Sequence, residues 1–306
     1  MISKPAKKIA VVTGANGLLG QKVVDAFAPH FRVIATGREE ASVREVPNVE
    51  YARLDLLDYR GVKDFFADIQ PHFVVNCAAF TDVDGAEDHR KIARKVNATA
   101  VKKMVQVLRR VNSKFVQIST DYIFNGTNGP YNEDSRPNPV NYYGQTKWEA
   151  ENAVKASGID YLIFRTNVLY GVAEKVGQDF VLWVLHSLED EKEIRVVDDQ
   201  INNPTLANGL AEGILIGCVM NARGVYHYAG TELVSRYDFA CRIAEYFGLS
   251  TDLIHSCTTE ALQQRAPRPL QSGLVTDKVV EELHIRLYDL CAGLKQVEKD
   301  LQKCET

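Results

Sequence analysis

The stretch IAVVTGANGLLG, residues 9–20, decides the fold of this chain. A run of apolar, mostly β-branched residues enters the glycine-containing TGANGLLG directly, and the helical pattern LLGQKVVDAF follows it. We therefore expect a buried strand, a sharp turn and a helix. Gly14 would let the chain turn, Gly17 would leave room for a ligand, and Gly20 would let the helix pack closely on the strand.

A turn of this kind predicts a site for the pyrophosphate of a dinucleotide. Backbone N–H groups and the positive end of the helix dipole would face the anion. The spacing is GxxGxxG, which differs from the commoner GxGxxG, and three glycines can also close an ordinary structural turn. The residues expected at this part of the cofactor site are Gly14, Asn16, Gly17, Leu18, Leu19 and Gly20.

Further apolar runs repeat the pattern along the first half of the chain. They are FRVIATG from Phe31, VEYARLD from Val49, FVVNCAA from Phe73, FVQIST from Phe115 and YLIFRT from Tyr161. Helical patterns separate them, including YRGVKDFFADI and the long stretch 84–111. Continuous short apolar runs that alternate with helices predict an α/β fold with a doubly wound parallel sheet, whose strands are buried on both faces.

The pattern loosens after residue 171. IRVVDDQ and GVYHYAG indicate more strands, and residues 206–219, 235–247 and 288–302 indicate helices. We expect residues 1–170 to form a dinucleotide-binding domain that carries the catalytic residues. Residues 171–306 would form a small α/β substrate lobe, with some segments packing back on the sheet. Ligands would bind between the two, at the carboxyl ends of the strands.

The composition excludes several classes of protein. The 306 residues are 45% hydrophobic and 25% charged with a net charge of −4, which favours a soluble globular protein and disfavours nucleic-acid binding. Apolar runs are too short for a membrane span or a signal peptide, so a cytoplasmic location is expected. The six scattered cysteines show no metal-ligand spacing, and no metal site is expected.

The second and third strands carry residues that would choose the cofactor. Arg38 follows the second strand and could pair with a 2′-phosphate, which favours NADP over NAD, although Glu39 and Glu40 come next. The alternative is a solvated arginine in a charged loop. Asp55 and Leu56 end the third strand, where Asp55 could reach the adenine; alternatively, Asp55 could cap the following helix.

Tyr143 and Lys147 stand four residues apart in the helical segment YYGQTKWEAENAV. At that spacing both side chains lie on one helix face, where an ammonium would lower the pKa of a phenol. Thr120, at the end of the fifth strand, could bind the reacting oxygen beside them; alternatively, it only completes a strand. The pattern predicts proton transfer to a carbonyl oxygen, although YxxxK also occurs by chance.

Six segments then resemble the dTDP-4-dehydrorhamnose reductase family, a branch of the extended short-chain dehydrogenases. They are TGANGLLG (13–20), NCAAFTDVDGAE (76–87), STDYIFNGTNGPYNED (119–134), NPVNYYGQTKWEAE (138–151), DDQINNPT (198–205) and RPLQSGL (268–274). The resemblance covers nearly the whole chain in the same order. It implies reduction of the 4-keto group of a dTDP-6-deoxyhexose by NADPH, or by NADH, to give dTDP-L-rhamnose.

The resemblance also implies a role for individual residues. Thr120, Tyr143 and Lys147 would be the catalytic residues, with Tyr143 and Lys147 also touching the cofactor. The other expected cofactor contacts are Cys77, Ala78 and Ala79, and the expected substrate contacts are Asp121, Tyr122, Asn167 and Arg268.

Two departures leave other functions open. Family reductases have a tryptophan shortly after the RT of strand six, whereas this chain reads RTNVLY at 165–170. The glycine block reads LLG in place of QLG. These features and the loop FNGTNGPY are similar to the regulatory subunit of methionine adenosyltransferase, which binds NADP without being the enzyme itself. The alternatives are therefore a regulatory subunit or another sugar-nucleotide dehydrogenase or epimerase, and a homodimer is possible in either case.

Overall fold

The computed structural model describes residues 7–304. The first six residues, included in the signal-peptide assessment above, lie outside this range. The described strands are β1 (Ile9–Thr13), β2 (Arg32–Gly37), β3 (Val49–Arg53), β4 (Phe73–Asn76), β5 (Lys114–Thr120), β6 (Tyr161–Thr166), β7 (Leu169–Tyr170), β8 (Ile194–Val197), β9 (Ile201–Asn202), β10 (Thr205–Leu206), β11 (Gly224–His227), β12 (Val234–Ser235) and β13 (Ile254–Cys257).

The α-helices connect these strands. They are α1 (Leu18–Phe27), α2 (Tyr59–Ile69), α3 (Val83–Asp88), α4 (Arg90–Arg94), α5 (Val101–Leu108), α6 (Tyr142–Ala156), α7 (Phe180–Glu189), α8 (Ala207–Val219), α9 (Arg236–Phe247), α10 (Thr259–Leu262), α11 (Asp277–Leu283) and α12 (Leu290–Cys304). Within residues 7–304, none of the helices combines the length and the apolar character that crossing a bilayer demands.

Seven strands form one parallel sheet in the order β11-β6-β5-β4-β1-β2-β3. The predicted doubly wound α/β fold is confirmed. The sheet gains an edge strand, β11, from the run GVYHYAG, which comes more than fifty residues after the sixth strand. Periodicity alone indicated a strand there but could not say which sheet it joins.

The sheet is buried on both faces, which explains the continuous apolar runs. Neighbouring residues of β1 point to opposite sides: Val12 packs in the core under α1 and α8, and Val11 packs in the core under α2 and α5. A third apolar core lies in the C-terminal half, between α7, α9 and α12. From the C-terminal half, β11 joins the sheet and α8 packs in the core beside α1, as expected of segments that return to the sheet, and the division of the chain at residue 170 stays a prediction.

The long helical stretch predicted for 84–111 is interrupted. His89, with φ −111° and ψ 41°, separates α3 from α4. A π-helical segment, Lys95–Ala100, then precedes α5, and a 3₁₀ turn, Arg109–Val111, ends the stretch. Within the π-helical segment, Asn97 accepts a hydrogen bond from the Phe80 N–H at 2.7 Å and donates to Thr146 Oγ1 at 3.0 Å. The irregular turn thus directs a buried amide towards α6.

The strand order reverses between β1 and β4, and the ends of these two strands are tied together. Thr13 Oγ1 donates to Asn76 Oδ1 at 2.6 Å, and Asn76 Nδ2 donates to Gln117 Oε1 of β5 at 2.9 Å. All three side chains are buried. This is the position at which ligands bind in open α/β sheets.

The turn from β1 into α1 excludes side chains at two of its three glycines. Gly14 has φ +64°, and a Cβ there would lie 2.7 Å from the backbone nitrogen of Ala78. A Cβ on Gly20 would lie 2.1 Å from the carbonyl oxygen of Gly14. At Gly17 that oxygen is 3.4 Å away, and the residue is exposed. The fold therefore requires Gly14 and Gly20, whereas Gly17 borders open space.

We predict opposite results for two alanine substitutions in this turn. Gly20→Ala should destabilise the protein by about 1–3 kcal/mol, because its methyl group would meet backbone atoms that cannot rotate away. Gly17→Ala should change the free energy of unfolding by less than about 0.5 kcal/mol. Thermal unfolding followed by circular dichroism measures both. Equal melting temperatures for Gly20→Ala and the unmodified protein would contradict the close packing of α1 on β1.

Candidate active site

Helix α6 begins at the carboxyl end of β5, and local contacts fix its first turn there. Asn141 caps the helix by accepting a hydrogen bond from the Gly144 N–H at 2.8 Å. The same side chain donates to the carbonyl oxygen of Pro267 at 2.9 Å. A Cβ on Gly144 would lie 2.1 Å from the carbonyl oxygen of Tyr122, so a side chain here would push the helix away from the residues that follow β5.

The Tyr143 side chain on α6 lies beside Thr120, at the end of β5. Thr120 Oγ1 donates its proton to Asp121 Oδ1 at 3.0 Å. Burial raises the pKa of Tyr143 well above its ordinary value, and the charge of Asp121 adds to this shift. The phenol is therefore protonated at neutral pH, in the form that donates a proton.

Lys147 lies one turn after Tyr143 and is buried. Its ammonium donates to the carbonyl oxygen of Ile118 at 2.6 Å. Burial lowers the pKa of Lys147 to about 8, while the charge of Glu151 acts to raise it. The expectation that Lys147 lowers the pKa of Tyr143 is wrong for this arrangement: burial dominates at the phenol, and the ammonium is directed at the strand.

Asp121 is a buried carboxyl directly after β5. Besides Thr120, it accepts a hydrogen bond from Ser272 Oγ at 2.5 Å. Burial raises the pKa of Asp121 to about 6, although both hydroxyl groups and the charge of Arg236 favour its ionised form. The carboxyl can therefore be protonated close to neutral pH, and its charge acts on the neighbouring Tyr143 phenol.

Tyr122 brings two guanidinium groups towards the reactive phenol. Its ring meets that of Tyr143 edge-on, with centroids 6.1 Å apart. Arg236, on α9, is buried beside Tyr122 and lies over the ring of Phe180, 5.0 Å from its centroid. Burial raises the pKa of Tyr122, and the positive charges of Arg236 and Arg268 oppose that shift. The structure thus brings Tyr122 and Arg268 together with an arginine that the sequence did not single out.

Arg268 and Asn167 are both held by neighbouring side chains. Arg268 makes a two-pronged ion pair with Asp84, at 3.0 and 2.8 Å. Asn167 is buried; it donates to Asn203 Oδ1 at 2.9 Å and accepts from Thr205 Oγ1 at 3.3 Å. A role for Asn167 in substrate binding stays a prediction, because both ends of its amide already have protein partners.

The loop after β4 lies against the glycine turn. Cys77 N–H donates to the carbonyl oxygen of Thr13 at 3.1 Å, and Ala78 is the residue that contacts Gly14. Burial raises the pKa of the Cys77 thiol to about 12, so it stays neutral. Ala79, half-buried, continues the same loop. Cys77 and Ala78 therefore meet the glycine turn at the switch point of the sheet, Ala79 follows them in the chain, and the contact of all three with a cofactor stays a prediction.

The first turn of α1 is open to an anion. Among the described residues, no side chain caps this helix at Gly17. Leu19 points into the core and Leu18 is half-buried beside Gly171, so both contribute backbone rather than polar side chains. The N–H groups of a first helical turn have no partner within the helix. Open space at Gly17 and these N–H groups fit a pyrophosphate.

The carboxylate of Glu39 lies at the end of β2, beside the predicted Arg38. Asn16 Nδ2 donates to Glu39 Oε2 at 3.1 Å, and Tyr51 OH donates to the carbonyl oxygen of Glu39 at 3.0 Å. The Glu39 carboxylate lies over Gly37, 2.6 Å from where a Cβ would be. Arg38 is exposed and has no ion pair or hydrogen bond within residues 7–304. Arg38 is thus free to bind a phosphate, but beside a negative charge.

Asp55 does not cap a helix. Its carboxylate accepts from the N–H of Leu57 at 2.9 Å, whereas Asp58 caps α2 through the N–H groups of Arg60 and Gly61. The alternative expectation for Asp55 is therefore wrong. Asp55 is exposed and Leu56 half-buried after β3, and their contact with an adenine stays a prediction.

Sequence reasoning missed residues whose partners are distant in the chain. Ser272 is 151 positions from Asp121, and Arg236 is more than a hundred from Tyr122. The segment RPLQSGL contained Ser272 but gave no sign that its hydroxyl faces Asp121. Glu39 was noted only as a weakness of the arginine hypothesis. Glu39 follows the second strand, about 20 residues past the glycine turn, where NAD sites carry an acid. That position could have suggested its place beside the turn, where it accepts a hydrogen bond from Asn16.

Comparisons with known proteins agree with this geometry. The family described as RmlD substrate binding domain matches residues 8–303. The solved dTDP-4-dehydrorhamnose reductase from Bacillus anthracis, in complex with NADP, superimposes with a TM-score of 0.87. It is 29% identical in sequence, and the alignment covers 96% of this chain and 99% of that one.

Two curated relatives differ in their described roles. The spore coat polysaccharide biosynthesis protein SpsK of Bacillus subtilis is 34% identical over 278 residues, or 90% of this chain and 92% of that protein. Methionine adenosyltransferase 2 subunit beta of Xenopus tropicalis is 32% identical over 277 residues, or 88% of this chain and 81% of that protein. The chain therefore belongs to the RmlD substrate binding domain family, within the extended short-chain dehydrogenase/reductase superfamily.

Proposed function

We propose that this protein is an NADPH-dependent reductase of a 4-keto-6-deoxy sugar nucleotide, converting dTDP-4-dehydrorhamnose to dTDP-L-rhamnose, with NADH as the alternative cofactor. The observation that carries the proposal is the contact of Tyr143 with Thr120. It holds a protonated phenol at the carboxyl end of β5, with Lys147 one turn away. The NADP bound by the similar reductase from Bacillus anthracis supports the choice of cofactor.

The residues around the glycine turn would hold the cofactor. Gly17 and the open first turn of α1 would receive the pyrophosphate, and the loop of Cys77, Ala78 and Ala79 would border the nicotinamide half. Arg38 would bind a 2′-phosphate. When bound, NADPH supplies the hydride that reduces the substrate carbonyl.

The chain supplies the proton and the polar surroundings. Tyr143 delivers its phenolic proton to the C4 oxygen as negative charge develops on that atom. Thr120 would turn its hydroxyl proton from Asp121 to the same oxygen, and Lys147, an ammonium with further N–H donors beyond the one on Ile118, would hold the nicotinamide ribose. The raised pKa of Tyr143 suits this direction of reaction, because the residue starts as an acid.

The sugar nucleotide would lie between the end of β5 and the C-terminal half. Asp121 and Tyr122 would contact the sugar, beside the reacting oxygen. Arg268 and the newly identified Arg236, the two guanidinium groups next to Tyr122, are the groups best suited to its anionic part. The usual tryptophan after strand six is absent from this chain, so these side chains would determine which sugar is accepted.

A cofactor-binding regulatory subunit is the second candidate function. It is favoured by the similarity to methionine adenosyltransferase 2 subunit beta along 88% of this chain. The two proposals separate in one experiment with purified protein. A reductase oxidises NADPH when a 4-keto sugar nucleotide is added. A regulatory subunit binds NADPH without turnover and co-purifies with a larger enzyme, whereas an epimerase retains an oxidised cofactor.

We predict that Tyr143→Phe lowers kcat about 10²–10⁴-fold with NADPH binding nearly unchanged, because only the proton donor is lost. The matched control is Tyr142→Phe, which alters the neighbouring phenol, packed against Arg90, and should retain activity. Turnover is followed by NADPH absorbance and binding by cofactor fluorescence. Full activity of Tyr143→Phe would rule out the assigned proton donor.

We also predict that Arg38 and Glu39 act in opposite directions on cofactor choice. Arg38→Ala should weaken NADPH by about tenfold or more and NADH much less, since only NADPH carries the 2′-phosphate. Glu39→Gln should strengthen NADPH by removing a neighbouring negative charge. Dissociation constants of both cofactors measure this, with the exposed substitution Arg60→Ala on α2 as control. Equal losses for the two cofactors in Arg38→Ala would show that Arg38 does not contact the phosphate.

A further inference from the structure

Helix α6 contacts β5 once in every turn. Tyr143 lies beside Thr120, and Lys147 donates to the carbonyl oxygen of Ile118 at 2.6 Å. One turn further on, Glu151 accepts a hydrogen bond from Ser119 Oγ at 2.7 Å. Positions 143, 147 and 151 lie on the same face of the helix, so three consecutive strand residues meet three consecutive turns.

Glu151 is the third of these contacts and has no role in the reaction proposed above. Its side chain is fully buried, with an exposed fraction of 0%. Arg165 of β6 donates to both of its oxygens, at 2.9 and 2.8 Å, and Lys155 donates at 2.9 Å. A carboxylate is costly to bury, so this arrangement requires several donors to retain its charge.

We propose that Glu151 is a positioning residue of the active site: its carboxylate holds α6 on β5 and is the counter-charge that keeps Lys147 an ammonium. The proposal rests on the geometry of the α6–β5 contact and, for its effect on the reaction, on the proposed function.

The charges around Lys147 support this assignment. Burial and the carbonyl of Ile118 surround the ammonium on the strand side, and the Cys77 thiol faces it from the loop after β4. On its own helix, Tyr143 is neutral, and Glu151 is ionised because its partners hold the pKa of that carboxyl below the ordinary value. Glu151 therefore supplies the negative charge that opposes the effect of burial on Lys147.

The other hydrogen-bond partners of Arg165 are uncharged and add no positive charge beside Glu151. Arg165 Nη1 also donates to the Glu133 carbonyl at 3.1 Å and to His227 Nε2 at 3.2 Å. Because His227 Nε2 accepts, its proton is on Nδ1, which donates to the Tyr131 carbonyl at 3.1 Å. Burial and Arg165 lower the pKa of His227 to about 3, so the ring adds no positive charge here.

The test measures the titration of Lys147 itself, by NMR of protein labelled at the lysine ε-carbon and assigned with Lys147→Met. The unmodified protein should titrate near pH 8. In Glu151→Gln the midpoint should fall by about one pH unit, since an opposite charge is lost. Glu151→Asp, which keeps the charge, should restore most of the shift. Ser119→Ala removes only the hydroxyl tether and should leave the midpoint unchanged.

A second variant covers the case in which Glu151→Gln does not fold with Arg165 left unpaired. The double substitution Glu151→Gln with Arg165→Gln removes both charges together, which buried pairs tolerate better. Its Lys147 midpoint should fall by less than in Glu151→Gln, because the lost positive charge of Arg165 offsets part of the lost negative charge, and Glu151 is the nearer of the two on the face of α6 that carries Lys147. A midpoint equal to that of the unmodified protein in whichever charge-removing variant folds would overturn the proposal.

The pH dependence of catalysis separates this inference from the proposed function. With a 4-keto sugar nucleotide, the alkaline fall of kcat/KM should move to lower pH in Glu151→Gln by the same amount as the NMR midpoint. Turnover that is absent in the unmodified protein, together with a shifted Lys147 titration, would refute the reductase function and support the role of Glu151. Normal turnover in the unmodified protein, together with an unshifted Lys147 titration in Glu151→Gln, would support the reductase function and refute the role of Glu151.

Discussion

The placement of α6 on β5 is the constraint on which the rest of this structure depends. Successive turns of a helix are about 5.4 Å apart, and successive residues of a strand are about 3.3 Å apart. Only a few side chains of α6 can therefore contact residues of β5. Here Tyr143, Lys147 and Glu151 meet residues 118–120, and Gly144 allows the close approach. A shift of one residue would separate the phenol from the Thr120 hydroxyl. The chemistry of the site is therefore a property of packing between two ordinary elements.

The cofactor half of the cleft follows the same logic of close backbone approach. Gly14 brings the loop of Ala78 against the glycine turn, and the Thr13–Asn76 hydrogen bond fixes the two strand ends side by side. The neighbouring strand β5 is tied to them through Gln117. The candidate cofactor site and the proposed proton donor thus lie along one set of buried polar contacts at the carboxyl ends of β1, β4 and β5.

The parts of this molecule that could be predicted from the sequence are those with local signals. Apolar runs and the glycines at 14, 17 and 20 predicted the sheet and its first turn, and the spacing of Tyr143 and Lys147 predicted their common face. Electrostatics could not be predicted in this way: the pKa of Tyr143 is raised, against expectation, because burial depends on the whole fold. Contacts such as Asp121 with Ser272, or Tyr122 with Arg236, join segments whose separation carries no periodic signal.

The edge strand β11 has a consequence for how the protein is made. It pairs with β6 but is synthesised only after residue 223. The edge of β6 therefore stays unpaired while more than fifty further residues are translated. During that interval the unpaired backbone of β6 and the apolar surface later covered by α8 are open to wrong partners. A ribosome that pauses before this strand would therefore extend the period in which the nascent chain needs a chaperone.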